Sequence, residues 1–390
     1  MDGYVELEIS LDRYGSGPYI VEYEIAQPGK AAVTRQSQKE QATVEFDLAA
    51  LRALQSRPEA YGQALTASLF APQEILMAFT QALGQAQAQR VALRLQLVLK
   101  AGARELHGLW WETLRNPQDG SALGADENIW FSRFLTGKDS RLPDLPEKGR
   151  LRALAMAAGP ADLERWGLAP VDVEGELQRA RQSLGEAQVW TLPEAGSDRR
   201  ASLDDLVDSL RSMGREGGCH VLYLACHGGM VSGQPVVWLE DEHGQTKPVQ
   251  GEQLASRLQE LTRLPLLVVL ASCESAGAQA GEALSALGPR LAQAGVPAVL
   301  AMQGKISMAT VEKMMPVFFG ELAWDGQVDR ALAVGRGAVR ERPDWWAPVL
   351  FTRLKSGRIF REAEPPREER PGLFTIPDPP VDFVGREKEL

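Results

Sequence analysis

Cysteine is scarce: three in 390 residues. An odd, small number in a long chain builds no disulfide framework and points to a reducing cytosol. No apolar run approaches the ~20 residues that span a bilayer. The opening Met-Asp-Gly-Tyr-Val-Glu lacks the basic start and apolar core of a signal peptide. Positive charge is also short, with 42 Lys and Arg against 52 Asp and Glu and a net charge of −10. That excludes a protein whose main work is a nonspecific grip on nucleic-acid phosphates. No G-x-x-x-x-G-K-[ST] run occurs, so this stretch of chain completes no phosphate cradle. What remains, 24% charged and 44% hydrophobic, is the composition of a globular protein long enough for two or three domains.

The first hundred residues predict strands and then helices. Residues 4–9 alternate Tyr, Glu and Glu with Val, Leu and Ile, the period of a half-buried strand. Residues 19–25 predict a second strand, and the turn-rich stretch between them predicts a hairpin. Residues 47–83 are helical in pattern, with Pro72 in the first turn of a helix carrying Leu76, Phe79 and Leu83. Residues 91–99 predict a strand with Arg and Gln on the face away from Val and Leu.

From Leu151 the pattern becomes alternating strand and helix. Strands are predicted at 151–157, 188–192, 220–225, 264–270, 296–302 and 348–354. Helices are predicted at 173–184, 309–324, 328–340 and from Ser202, whose Ser-Leu-Asp-Asp is a capping-box pattern. Leu254, Leu258 and Leu261 mark another helix face. One more helix runs up to Ala294, its regular part starting late because of Pro289. Near-continuous apolar strands separated by helices imply an α/β protein with a mainly parallel sheet covered on both faces. Residues 361–380 hold six prolines among mixed charges and read as a semi-extended linker.

Sites in such sheets form past the carboxyl ends of the strands. Two strands end in reactive side chains: Val221-Leu-Tyr-Leu-Ala-Cys-His227-Gly228-Gly229, and Leu266-Leu-Val-Val-Leu-Ala-Ser-Cys273-Glu274. A Cys273 nucleophile with His227 carrying its proton suits that placement. Gly228 and Gly229 would let a substrate backbone approach, and the N–H groups of Gly228 and Cys273 could face an oxyanion. Two other readings stand beside this one. Both residues could be structural, or Cys219, Cys226, His227 and Cys273 could hold zinc. The zinc reading lacks a C-x₂₋₄-C pair, and consecutive Cys226 and His227 leave a strand in opposite directions, which makes Cys226 a core residue. Trp110, Trp111 and Glu112 read either as a binding patch or as core, with Glu112 pairing with Arg133. Trp345 and Trp346 read as packing before the last strand.

These segments resemble, in order, those of the CHAT family of caspase-like cysteine peptidases. The matching pieces are Leu-Tyr-Leu-Ala-Cys-His-Gly-Gly around His227 and Val-Val-Leu-Ala-Ser-Cys-Glu-Ser-Ala around Cys273. Then come Leu291 to Val299, the helix from Val311 to Trp324, Ala331 to Val339, and Trp346-Ala-Pro-Val-Leu350. Upstream, Leu109-Trp-Trp-Glu-Thr-Leu114 resembles the family's Pro-Trp-Glu-Leu-Leu element and Ser132-Arg133 its Ser-Arg pair. The resemblance covers about residues 1–360. It implies a caspase–haemoglobinase fold, His227 as proton shuttle and Cys273 as nucleophile. It also implies that Gln303, Gly304, Lys305, Ile306 and Ser307 run beside a bound peptide. Basic-specific relatives commonly carry Asp two residues before the nucleophile; Ala271 stands there, so no preference for Arg or Lys carries over. An acidic pocket could still come from Glu240, Asp241 and Glu242, which otherwise form a solvated turn.

Phe383-Val-Gly-Arg-Glu-Lys-Glu-Leu390 resembles the segment opening AAA and STAND-type ATPase domains. The organisation expected is therefore an N-terminal α+β half (1–145), a caspase-like catalytic half (146–362), a proline-rich linker (363–380) and the start of a truncated nucleotide-binding domain (381–390). The function expected is a cytoplasmic cysteine endopeptidase acting on a protein substrate. By resemblance it would serve as the effector of a nucleotide-gated bacterial (anti-phage) defence or signalling protein. No cofactor or metal is expected in this stretch; ATP belongs to the downstream ATPase and sensor region, with oligomerisation on activation and no direct nucleic-acid or membrane binding. The rivals are an inactive caspase-like scaffold and, more remotely, a thioester hydrolase using the same two residues.

Overall fold

In a computed structural model of the chain, the described residues are 3–27, 42–135, 143, 145–149, 151–271 and 278–361, with backbone alone for 278–285. Cys273, the proline-rich linker and residues 381–390 lie outside them.

The alternating N-terminal pattern forms β1 (Tyr4–Asp12), antiparallel to β2 (Tyr19–Ala26) and then β3 (Ala42–Val44). Asp47 caps α1 (Leu48–Ala53), its carboxylate accepting the N–H groups of Ala49 and Ala50. Proline sets the first turn of α2 (Pro58–Leu69), and Pro72 immediately precedes α3 (Gln73–Gln89). Next are β4 (Ala92–Leu99), parallel to β1, and β5 (Ile129–Phe134), parallel to β4.

The second half continues with β6 (Arg152–Ala157), α4 (Val173–Leu184), β7 (Gln188–Leu192), α5 (Leu203–Arg215) and β8 (Val221–Ala225). It then turns through β9 (His227–Val231), β10 (Gln234–Glu240) and β11 (Thr246–Gln250). After these come α6 (Gly251–Gln259), β12 (Leu267–Ala271), α7 (Ala278–Gln293), β13 (Ala298–Met302), α8 (Met308–Asp325), α9 (Val328–Gly337) and β14 (Pro348–Thr352).

The main sheet runs β3-β2-β1-β4-β5-β14-β13-β12-β8-β6-β7. Its neighbours are parallel except β3–β2, β2–β1 and β14–β13. The sheet is continuous across residue 146, because β5 pairs with β14. Period-2 alternation divides the core into layers. Leu222, Leu224, Val268 and Leu270 face α5, α6 and α7. Val221, Tyr223, Leu267 and Val269 face α4, α8 and α9. The mixed α/β class with a mainly parallel sheet, flanked by helices on both faces, is thus present. No helix among the described residues is long and apolar enough to cross a membrane.

Three expectations change. The polar face predicted for residues 91–99 is buried, since Arg94 and Gln96 are 0% and 2% exposed. Strand β4 is central, and Asp329 on α9 covers Arg94. Pro289 does not delay α7, which is helical from Ala278. One lost N–H bond is offset by packing against β9 and β13. Finally, β9, β10 and β11 form a separate antiparallel sheet for which no strands were predicted; the charged turn expected near residues 242–244 joins β10 to β11. Glycine and proline at 228, 229, 233, 235 and 248 weaken the sheet's strand signature, while burial of Val236 and Trp238 against Leu163 supports it.

Candidate active site

Strands β8 and β12 are parallel neighbours, with Ala225 opposite Ala271. His227 lies two residues beyond Ala225 and opens β9; Cys273 lies two residues beyond Ala271 in sequence, outside the described residues.

The His227 ring is 1% exposed. Its Nε2 stands 2.8 Å from the carbonyl oxygen of Ala169. A carbonyl can only accept, so Nε2 donates and carries the proton. In the neutral ring Nδ1 then has a free lone pair. That nitrogen is buried and has no partner among the described residues. The side chain is therefore held in one orientation, with Nδ1 unengaged by the described groups.

The other cysteines are differently placed. Cys226 is fully buried in the apolar layer containing Leu224 and Leu270, as expected of a core residue. Cys219 precedes β8 at the opposite end of the sheet, and burial pushes its thiol up to about 12. A thiol so placed is unionised and inert. The extended strand between Cys219 and His227 is five residues long, roughly 16 Å at ~3.3 Å per residue. One metal ion cannot be shared across it, so the four-ligand zinc reading fails.

The glycines differ in role. A Cβ on Gly229 would stand 2.3 Å from the Trp238 ring. The smallness of Gly229 therefore serves that ring, contrary to the expectation that it admits substrate. Gly228 is buried opposite Val237 on β9, an edge strand of the small sheet.

Residues 303–307 are tied down. Gln303 is 3% exposed. Its Oε1 accepts from Arg133 Nη2 at 3.0 Å, and its Nε2 donates to Glu112 Oε2 at 2.6 Å. Glu112 and Arg133 form the buried ion pair expected of them, with Arg133 Nε 3.0 Å from Glu112 Oε1. Gly304 has φ +65°, and Ile306 is in the core. Ser307 caps α8, its N–H donating to Asp344. The Lys305 side chain is exposed. From this segment Lys305 is thus exposed, Gly304 and Ser307 are half-buried, and Gln303 and Ile306 are buried.

Asp241 belongs to the β10–β11 turn. Its Oδ1 accepts the N–H groups of Gln245 and His243, each at 2.8 Å. The Gln245 N–H, foremost, holds the carboxyl below its usual range. Glu240 is 7% exposed and accepts from the Gly159 N–H. The Trp pairs are packing, as expected: Trp110 stacks on Trp346 at 4.1 Å. Two participants escaped sequence reading. Ala169 acts through its carbonyl, which no side-chain pattern betrays. Trp238 signals only through its distance from glycine across a hairpin.

Fold and site define an α/β protein whose candidate site lies past the carboxyl ends of β8 and β12. Residues 59–354 match the CHAT domain, well over half of the chain, and the chain belongs to that family. Among solved structures, the complex of Porphyromonas gingivalis RgpB pro- and mature domains is similar at 12% identity, over 74% of this chain and 70% of that one, with a TM-score of 0.41. The structure of the Arg specific cysteine proteinase gingipain R (RGPB) is similar at 12% identity, over 72% and 67%, with a TM-score of 0.40. The Saccharomyces cerevisiae separase–securin complex is similar at 15% identity, over 72% of this chain and 17% of that one, with a TM-score of 0.37. No curated protein matches the chain.

Proposed function

We propose that this chain is a CHAT-type cysteine endopeptidase using His227 and Cys273. The observation carrying the reading is the His227 ring, fixed through Nε2 to the Ala169 carbonyl with a buried, unpartnered Nδ1. It sits beside the strand that leads to Cys273. Covalent geometry supports the pairing: two residues reach at most ~7 Å from Ala271, whose register partner lies two residues before His227.

In the proposed reaction, His227 Nδ1 takes the Cys273 thiol proton and the thiolate attacks the scissile carbonyl carbon. The N–H groups of Gly228 and Cys273 receive the oxyanion. As the C–N bond breaks, His227 returns the proton to the leaving amine. A thioester remains, and water, deprotonated by His227, releases the acid and restores the thiol. The backbone at Gly304 and the Lys305 side chain border the peptide; Asp241 would act from the neighbouring turn.

The wider setting proposed is cytosolic. The peptidase would be the effector of a defence or signalling protein, joined through the linker to an ATP-dependent, oligomerising domain beginning near residue 381.

The test is alkylation of the 390-residue chain with iodoacetamide, mapped by mass spectrometry, together with cleavage of a peptide library. Cys273 should be alkylated fastest, and more slowly in His227→Ala. Cys273→Ala should abolish cleavage, and His227→Ala should reduce it by ~10²–10⁴-fold. Cleavage surviving in Cys273→Ala sinks the assignment. A Cys273 no more reactive than a free thiol, with no cleavage by the full-length protein, supports the scaffold reading.

A further inference from the structure

Gln303 joins the two halves of the chain. Its amide has one workable orientation. Arg133 can only donate, so it faces Oε1; the Glu112 carboxylate and the Trp346 carbonyl can only accept, so they face Nε2. The ion pair that specifies this orientation lies wholly in the N-terminal half. Arg133 also donates to the carbonyls of His107 and Leu109, which fixes its plane. The backbone beside Gln303 is held too, its N–H donating to the Ala347 carbonyl at 2.7 Å. Next in the chain, Gly304 lies against Trp346, whose ring would be 3.0 Å from a Cβ there. Trp346 stacks on Trp110, and Trp110 on Tyr61 at 4.9 Å. A polar clamp and an aromatic stack therefore converge on the start of the 303–307 segment from the N-terminal half.

We propose that Gln303 is a positioning residue through which the Glu112–Arg133 pair sets the backbone path at Gly304 and Lys305, and with it the binding of a peptide substrate. The substrate part rests on the peptidase reading; the clamp itself does not. Residue 303 touches no reacting atom. It acts by holding the peptide-bordering backbone in one place, and misplacement there weakens binding more than chemistry.

The exposed Lys305 supplies a readout independent of activity. Trypsin cuts after lysine only where the chain opens locally, so the cleavage rate follows the open population. The full chain is compared as wild type, Gln303→Leu and Gln303→Asn. Leucine fills similar space without an amide and leaves Glu112 and Arg133 paired; asparagine keeps an amide one methylene short. Cleavage of the Lys305–Ile306 bond, normalised to cleavage after the exposed Arg90, should rise ~10-fold in the leucine variant and less in the asparagine variant. KM for a cleaved peptide should rise ~10-fold with kcat within ~3-fold. An unchanged Lys305 cleavage rate in a folded variant overturns the clamp. Faster cleavage with unchanged KM overturns the substrate part. Faster cleavage at Lys305, with no peptidase activity in any form, upholds the clamp and fails the peptidase reading instead. Should the leucine variant not fold, the asparagine variant decides by the same comparison.

Discussion

Replacing Arg94 by Met tests how the N-terminal half is joined to the rest. Arg94 is 0% exposed. Its Nε lies 2.6 Å from Asp329 Oδ2 on α9, and its Nη1 lies 2.8 Å from Glu6. The guanidinium also donates to the carbonyls of Leu354, at 3.0 Å, and Lys355. Burial opposes its charge, but Asp329 first, then Tyr4 and Glu6, hold it more firmly protonated than usual. Methionine preserves most of the volume and deletes every polar contact. Among the described residues, Asp329, 1% exposed, then keeps only the Gln327 amide and the Arg330 N–H. Breaking a buried pair by removing one partner costs about 3–5 kcal/mol, because the survivor is an uncompensated charge. For a chain of this length unfolding as one unit, the unfolding entropy is about 0.7–0.8 kcal/mol/K, so Tm should fall by about 4–7 °C. Guanidinium titration followed by tryptophan fluorescence, with calorimetry, measures both quantities. Adding Asp329→Leu should recover part of the loss, since neither charge is then stranded. A loss under about 1 kcal/mol, or a double variant as unstable as the sum of the two, refutes the reasoning.

Gly229→Ala should cost about 1–3 kcal/mol by forcing a Cβ into the Trp238 ring, and should reduce peptide cleavage by moving the strand that carries His227; an unchanged melting curve would show that the ring yields freely. Cys226→Ala should retain cleavage while losing about 1 kcal/mol of stability; loss of activity in a folded variant would move the nucleophile assignment to Cys226. The His107 imidazole is lowered to about 4 by burial first and by Arg133 and Arg104 after it. The unfolded ring takes up its proton near pH ~6.5, so stability present above that pH is lost as pH falls toward 4. Solvent at the half-buried ring reduces the loss to about 1–2 kcal/mol. Denaturant titrations at pH 7 and 4.5 should show a smaller difference in His107→Asn; equal pH dependence in both proteins would contradict the burial argument.

Much of the C-terminal half was legible because its signals are local. The helix at residues 173–184 and the strand at 188–192 follow from hydrophobic period alone, and Ser202 caps its helix through the bond to Asp205 that the sequence anticipates. His227 stood out as a reactive side chain past an apolar strand, and the order of motifs identified the family. What required the fold was everything set by partners distant in sequence. Arg94 alternates with leucines as a solvent-facing residue would, and partners led by Asp329, 235 residues away, make its burial tolerable. The family resemblance puts Gln303 beside a bound peptide; only the fold brings its amide to Glu112 and Arg133. Gly229 suggests room for a substrate until the hairpin brings Trp238 across. The tautomer of His227 depends on a backbone carbonyl at Ala169, and a carbonyl is common to every residue type. Period, caps and reactive side chains are encoded residue by residue. The pairing of buried charges and the orientation of a ring are decided by which surfaces meet, and in this chain the continuous sheet through β5 and β14 brings those surfaces together.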